Sequence, residues 1–339
     1  MSRGGRRRYG DGMTPTGAAG ADVVPWREAW QDALYGGHGF YRGASGPAGH
    51  FTTATQGGAG EVLAEALWAW ADAVGADGIV DVGAGRGELL RHLGAVNPGR
   101  PLTGVDVVRR PGDLSAHVDW LVGPGGAELP DDLAPRNALV VAHEWLDVVP
   151  CTIAEVAPDG TLCEVLVDRA TGEESLGECL SEPDLQWCQR FWPTAFTSDA
   201  APGDRVEVGR QRDLAWQELL GRMVGCTAVA VDYGHLVGDR PRGGTFTAYR
   251  HGVEVSPLPD GSCDLTAHVA VDALDHDEIL SQREALHRVG VHGRTPDHAL
   301  SQADPAAYLH ELGRTSAAAT LLRPGGFGDF WWVVNRDGG

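Results

Sequence analysis

The sequence predicts an α/β fold: a Rossmann-like, doubly wound, mostly parallel sheet with an inserted lobe and an N-terminal lid. Three observations carry this. Ile79-Val80-Asp81-Val82 is an apolar strand running into Gly83, Gly85 and Gly87, and Leu89, Leu90 and Leu93 begin a helix pattern directly afterwards. Leu102-Thr103-Gly104-Val105-Asp106 reads as a second strand with a carboxylate at its tip. Residues 138–142 and 227–232 are short and apolar, as strands covered on both faces of a parallel sheet should be.

The elements follow in order. Residues 1–22 are Gly/Arg-rich and are expected to form a disordered tail. Trp26, Trp30 and Leu34 recur at four-residue spacing and predict a helix over 24–35. Residues 36–60 are rich in Gly and Thr and poor in apolar side chains, so 23–60 is expected to be an N-terminal helix and lid. Leu63, Leu67, Trp70 and Val74 form the apolar stripe of an amphipathic helix over 61–74, whose packing face meets the sheet. Residues 78–82, 102–106, 118–122 and 138–142 are successive strands. Pro158-Asp159-Gly160 is a turn joining 152–156 and 162–167 as a hairpin. Residues 173–204 read as irregular, packed by Trp187, Phe191, Trp192 and Phe196. A helix over 213–224, a strand over 227–232, helices over 264–274 and 305–322 and a closing strand over 329–334 complete the chain. Strand–helix alternation on both sides of one interruption makes 61–339 a single domain with an insertion at about 151–212.

Composition bounds the function. The net charge is −20, and all 27 basic residues are Arg; four of them (Arg3, Arg6, Arg7, Arg8) lie in the tail, so the body is more acidic still. Nucleic acid, whose phosphates demand a basic face, is excluded as a partner. No apolar run approaches the length of a membrane span, and no apolar segment follows the N-terminal arginines, so neither a membrane partner nor a signal sequence is expected. Six cysteines without a C-x-x-C pair read as reduced thiols of a cytoplasmic protein, with no zinc site. A homodimer is compatible with the sequence.

The glycine spacing narrows the cofactor. A dinucleotide fingerprint starting at Gly83 would place glycine at position 88, where Glu88 stands; the pattern here is Asp81-x-Gly83-x-Gly85-x-Gly87. Glu88 in the first helical turn would repel a pyrophosphate at the positive helix end. S-adenosylmethionine (SAM) carries a cationic sulfonium and an ammonium and no phosphate, so acids around the loop favour it. Asp81, Gly83, Gly85, Gly87 and Asp106 are therefore the candidate cofactor residues, Asp106 as acceptor from the ribose hydroxyls. The plain alternative is a glycine turn in an unrelated α/β protein.

His143-Glu144-Trp145-Leu146-Asp147 follows the fourth strand and faces the same crevice, because ligands of open α/β sheets bind beyond the carboxyl ends of the strands. Two carboxylates can hold a guanidinium through paired hydrogen bonds and leave a nitrogen free to attack. Glu144, Asp147, His143 and Tyr233 are the candidate catalytic residues. Helix capping by Glu144 or Asp147 and a structural His143 are the alternative. The string is not a zinc H-E-x-x-H helix, since Asp147 takes the second histidine position. In Asp232-Tyr233-Gly234-His235, Tyr233 is a candidate to orient a substrate and His235 to accept a proton, with a plain strand-end turn at Gly234 as the alternative. Gly43-Ala44-Ser45-Gly46 lacks the G-x-S-x-G pattern and the preceding apolar strand of a serine hydrolase.

In their order, these segments resemble the MidA-type family of class I SAM-dependent methyltransferases, which includes mitochondrial complex I assembly enzymes that methylate protein arginine. The resemblance runs from about Trp26 to the C-terminus. It rests on Leu34-Tyr35 with Gly39-Phe40-Tyr41, Gly49-His50-Phe51-Thr52-Thr53-Ala54, the glycine loop, Glu144-Trp145-Leu146-Asp147-Val148-Val149-Pro150, Asp232-Tyr233-Gly234, Gly244-Thr245-Phe246-Thr247-Ala248-Tyr249-Arg250-His251 and Asp264-Leu265-Thr266-Ala267-His268-Val269. It implies SAM as cofactor and adds Thr53 in the lid to the cofactor set. The departures are His50 where the family has Asp, Thr55-Gln56 for Pro-Glu, His143 for Asn, and Gly252 where a second His is common. The lid thus loses two acids while Glu144 and Asp147 remain. The expected activity is methyl transfer to a nitrogen or oxygen nucleophile of a protein, arginine included, or of a small molecule or peptide. A non-catalytic SAM-binding assembly factor is the competing reading.

Overall fold

The computed structural model describes residues 22–43 and 54–336. The tail, Ser45, His50 and Thr53 lie outside them.

β1 (Val23–Pro25) leads into α1 (Trp26–Tyr35), which starts directly after Pro25 rather than at residue 24. α2 (Gly57–Val74) begins four residues before the expected helix over 61–74 and is capped by Gly75, whose φ of 71° supplies the left-handed turn to the sheet. Then come β2 (Gly78–Val82), α3 (Glu88–Val96), β3 (Leu102–Asp106), β4 (Val118–Val122) and β5 (Ala138–His143). β6 (Thr152–Val156), β7 (Leu162–Asp168), β8 (Glu174–Cys179), α4 (Glu182–Phe191) and β9 (Arg205–Val208) follow. α5 (Arg210–Gly221), β10 (Thr227–Asp232), β11 (Gly234–His235), β12 (Thr247–Arg250), β13 (Val253–Val255), β14 (Asp264–Thr266), β15 (Val269–Ala270), β16 (Glu278–Ser281), α6 (Gln282–Arg288), α7 (His298–Ala303), α8 (Pro305–Leu322) and β17 (Trp331–Arg336) complete the chain.

The central sheet has seven strands in the order β16-β17-β10-β5-β2-β3-β4. β10, β5, β2, β3 and β4 run parallel, and β17 is antiparallel to both its neighbours. Side chains alternate between two cores, as strand geometry requires. Ile79, Leu139, Val141 and Val229 meet Leu63, Leu67, Leu90, Leu286 and Leu321 of the helices on one face. Val80, Val140 and Ala228 meet Trp216 and Leu219 of α5 on the other. The doubly wound, mostly parallel sheet is thus present.

β6 to β9 form a second, antiparallel sheet in the order β1-β7-β6-β9, with β8 on β7. The N-terminal β1 joins it through Val23 opposite Asp168. α1 buries Trp26, Trp30 and Leu34 against Ile153, Val165 and Leu265. Two expectations are corrected. Residues 173–204 are not irregular: β8 pairs with β7, and α4 is capped by Ser181, whose hydroxyl accepts from the Asp184 N–H. Ser181-x-x-Asp184 is an N-cap signature, and Trp187 and Trp192 pack onto Ala154 and Val206. Residues 264–274 are not a helix: β14 pairs with β12 and β15 with β11. Tertiary pairing here overrides an ambiguous local pattern.

Candidate active site

β2, β3, β5 and β10 are parallel neighbours, so Val82, Asp106, His143 and Asp232 end on one edge of the sheet. From β2 the chain crosses to β3 on one side, while β5 and β10 lie on the other. A crevice opens where the winding reverses. It is a cleft of about 700 Å³ reached by both the glycine loop and the segment after β5, within the range of cofactor and substrate pockets.

On the β2–β3 side the backbone is fixed by carboxylates. Gly83, Gly85 and Gly87 have φ of 78°, 57° and 77°, left-handed values that favour glycine. A Cβ on Gly83 would also lie 3.2 Å from Cβ of Trp145, so the loop packs closely on the segment after β5. The Gly85 N–H donates to Asp106 Oδ2 at 2.8 Å, and Val108 N–H donates to Asp106 Oδ1 at 3.0 Å. The Arg86 N–H donates to Glu88 Oε2 at 2.8 Å. The two loop amides that would cradle a pyrophosphate are thus already bonded to carboxylates. Burial pushes Asp106 up to about 6 despite these hydrogen bonds, and burial with the Asp106 and Glu88 charges pushes Asp81 up to about 8. All three acids line the cleft. These acceptors suit a cationic nucleoside and not a pyrophosphate.

On the β5–β10 side the backbone itself is strained. Glu144, the first residue after β5, has φ of 51°, a left-handed conformation unusual for a residue other than glycine. It sets both His143 and Glu144 against the cleft. His143 Nδ1 lies 3.3 Å from Glu144 Oε1. Burial pushes the imidazole down to about 4, so it is neutral at pH 7. Burial, reinforced by Asp147 and Asp264, pushes Glu144 up to about 8. Asp147 Oδ2 accepts hydrogen bonds from the Tyr233 hydroxyl and from Thr266 Oγ1, the latter at 2.8 Å. Burial raises Asp147 while these two donors lower it. Asp232 Oδ2 accepts the Leu146 and Asp147 N–H groups, each at 3.1 Å. Asp264, which burial pushes up to about 8, accepts from the Tyr41 hydroxyl at 2.7 Å. On this side of the cleft His143 Nε2, Glu144 Oε1 and Asp147 Oδ1 are buried without a hydrogen-bond partner among the described residues, and Arg86 Nε of the glycine loop is a fourth such atom on a cleft-lining residue. Buried polar atoms are ordinarily paired, so these mark where a ligand would bind.

Asp81, Gly83, Gly85, Asp106, His143, Glu144, Asp147 and Tyr233 all line this cleft. Gly87 begins α3 as its N-cap rather than lining the cleft. His235, expected to accept a proton in the crevice, is not among the residues that line it: Gly234 and His235 pair with Val269 and Ala270 as a separate two-stranded sheet. His235 Nδ1 lies 2.7 Å from Arg240, and burial beside that guanidinium pushes the imidazole down to about 3. Sequence reasoning did not assign Asp232, Asp264, Thr266, Tyr41 or Phe330 to the site. The Asp-Leu-Thr string held a signal for Asp264 and Thr266. Nothing local marked Phe330, whose ring lies 5.5 Å from Tyr233 and 5.9 Å from His143.

Two solved structures from Burkholderia thailandensis share this fold. One, a superfamily member bound to S-adenosyl-homocysteine, has a TM-score of 0.70 and 21% identity over 93% of this chain and 88% of its own. The other, a native structure of an uncharacterized superfamily protein, has a TM-score of 0.68 and 21% identity over the same shares. No curated protein matches the chain. Residues 106–290, from the tip of β3 to beyond α6, match the family described as "Putative S-adenosyl-L-methionine-dependent methyltransferase". With more than half of its length matched, the chain belongs to this SAM-dependent methyltransferase family.

Proposed function

We propose that the protein transfers a methyl group from SAM to a nitrogen or oxygen nucleophile held by Glu144 and Asp147. The observation that carries this reading is the pair of buried carboxylate oxygens without partners, Glu144 Oε1 and Asp147 Oδ1, lining the same cleft as the glycine loop. SAM, when bound, supplies an electrophilic methyl on a positive sulfur. The chain's part is to place the acceptor in line with it and to exclude water, which makes proximity and orientation the main source of rate. Asp81, Glu88 and Asp106 offer negative charge to the cationic cofactor. Asp147, steadied through Oδ2 by Tyr233 and Thr266, presents Oδ1 to an acceptor N–H or O–H. Glu144, titrating at about 8, takes the acceptor's proton from its ionised form, whose share grows as pH rises toward 8. His143, neutral and 3.3 Å from Glu144 Oε1 without a hydrogen bond to it, is not the base.

The acceptor is a protein side chain, with arginine suggested by the MidA-type resemblance, or a small molecule or peptide. Loss of the lid acids at His50 and Gln56 favours the small-molecule or peptide reading. Six free cysteines, five of them buried, support a cytoplasmic setting. Calorimetric titration with SAM followed by labelled-methyl transfer into a lysate of the source cells tests the proposal. Binding together with transfer is expected. Absence of binding at high micromolar SAM would overturn it, and binding without transfer would favour a non-catalytic SAM-binding protein.

A further inference from the structure

Arg212 is 1% exposed and sits in the first turn of α5, where a cation meets the unfavourable end of the helix dipole. It makes no ion pair within 4.0 Å among the described residues. Its guanidinium donates instead to four main-chain carbonyls: Nε to Val149 at 3.1 Å, Nη1 to Ala267 at 3.1 Å and His268 at 2.9 Å, and Nη2 to Asp147 at 2.7 Å. The guanidinium carbon lies 5.6 Å over the Trp30 ring of α1. One side chain therefore joins α1, the segment after β5 and the β14–β15 connection. Asp232 grips the same run from the opposite polarity, through the amides of Leu146 and Asp147. An apolar side chain of similar volume would fill this place without burying a charge, so packing alone does not account for an arginine.

We propose that Arg212 is a positioning residue for the acceptor side of the cleft: it fixes the backbone run from Asp147 to Val149 and places a buried positive charge beside Asp147. This rests on reading Asp147 as an acceptor-binding group. The charge favours the ionised forms of Asp147, Asp232, Glu207, Asp213 and Cys151 and disfavours protonation of His235 and His268.

The test uses the full chain carrying carboxyl-labelled aspartate, as wild type, Arg212→Met and Arg212→Lys, titrated by NMR, with Asp147→Asn assigning the resonance. Arg212→Met is expected to raise the Asp147 midpoint by about one pH unit, and Arg212→Lys to restore most of it. Amide exchange provides the second readout. Residues 145–149 and 266–268 should exchange about tenfold faster in both variants, with β2 and β3 unchanged. If Arg212→Met does not fold, the exchange of Arg212→Lys decides. An unmoved Asp147 midpoint in folded Arg212→Met, wild-type exchange at 145–149 in either variant, or faster exchange spread evenly over the chain overturns the proposal. Neither readout needs methyl transfer, so a wild type that transfers nothing would sink the functional reading and leave this one standing.

Discussion

The two sides of the cleft solve opposite problems. On the β2–β3 side, Asp106 and Glu88 are bonded to the loop amides of Gly85 and Arg86, and the glycines adopt backbone conformations that suit them. On the β5–β10 side, a non-glycine residue holds a left-handed conformation, and three buried polar atoms lack partners. The first side is a mould largely set in advance, with Arg86 Nε its buried atom without a partner. The second keeps its unsatisfied groups for the reacting partner, which is where strain is usually stored.

The largest effect that would break this contrast is at the mould. Gly87→Val forces a branched side chain into a φ of 77° with Leu114 Cδ1 3.0 Å from its Cβ. We expect SAM affinity to fall by more than about 100-fold in calorimetry, since the loop must refold to relieve it. Next is Asp147→Asn, which keeps the shape and removes the charge. Transfer should drop about 100-fold while the SAM Kd changes by less than about threefold. Equal losses of binding and transfer would erase the distinction between the two sides.

A smaller effect concerns protons. Asp81 titrates at about 8 and Asp106 at about 6. A bound cation favours their ionised forms, so binding releases protons. SAM affinity should therefore rise with pH between about 6 and 8, by at most about tenfold per unit for each group, and the calorimetric heat should depend on the buffer's ionisation enthalpy. A flat affinity profile would place the cofactor's charge elsewhere.

The smallest effect is on stability. Asp81, Glu144 and Asp264 are raised to about 8, so the folded chain holds their protons more tightly than the unfolded one. Their contribution is greatest below the ordinary carboxylate range and is lost as pH rises toward 8, at most about 1.4 kcal/mol per unit for each group. His143, lowered to about 4, works the other way: its share is present above the ordinary imidazole value and lost as pH falls toward 4. Thermal unfolding should show Tm falling from about pH 6.5 to 8 and levelling above it, and falling less in Glu144→Gln.

The same contrast explains what the sequence revealed. The glycine loop was legible because its requirements are local: three left-handed positions, a strand before, a helix after and an acid at the next strand tip. Glu144 and Asp147 were legible as a candidate pair because they follow a buried strand directly. Their surroundings were not. Thr266 meets Asp147 across 119 positions, and Tyr41 meets Asp264 across 223. Such convergence is decided by tertiary pairing, the same pairing that turns 264–274 into strands. His235 misled for a related reason, since its pairing with Ala270 is itself a long-range contact.

The most direct measurement is the rate of labelled-methyl transfer by Glu144→Gln at saturating SAM, compared with wild type. The account predicts a loss of about 100-fold or more with SAM still bound. Transfer at the full wild-type rate would contradict it.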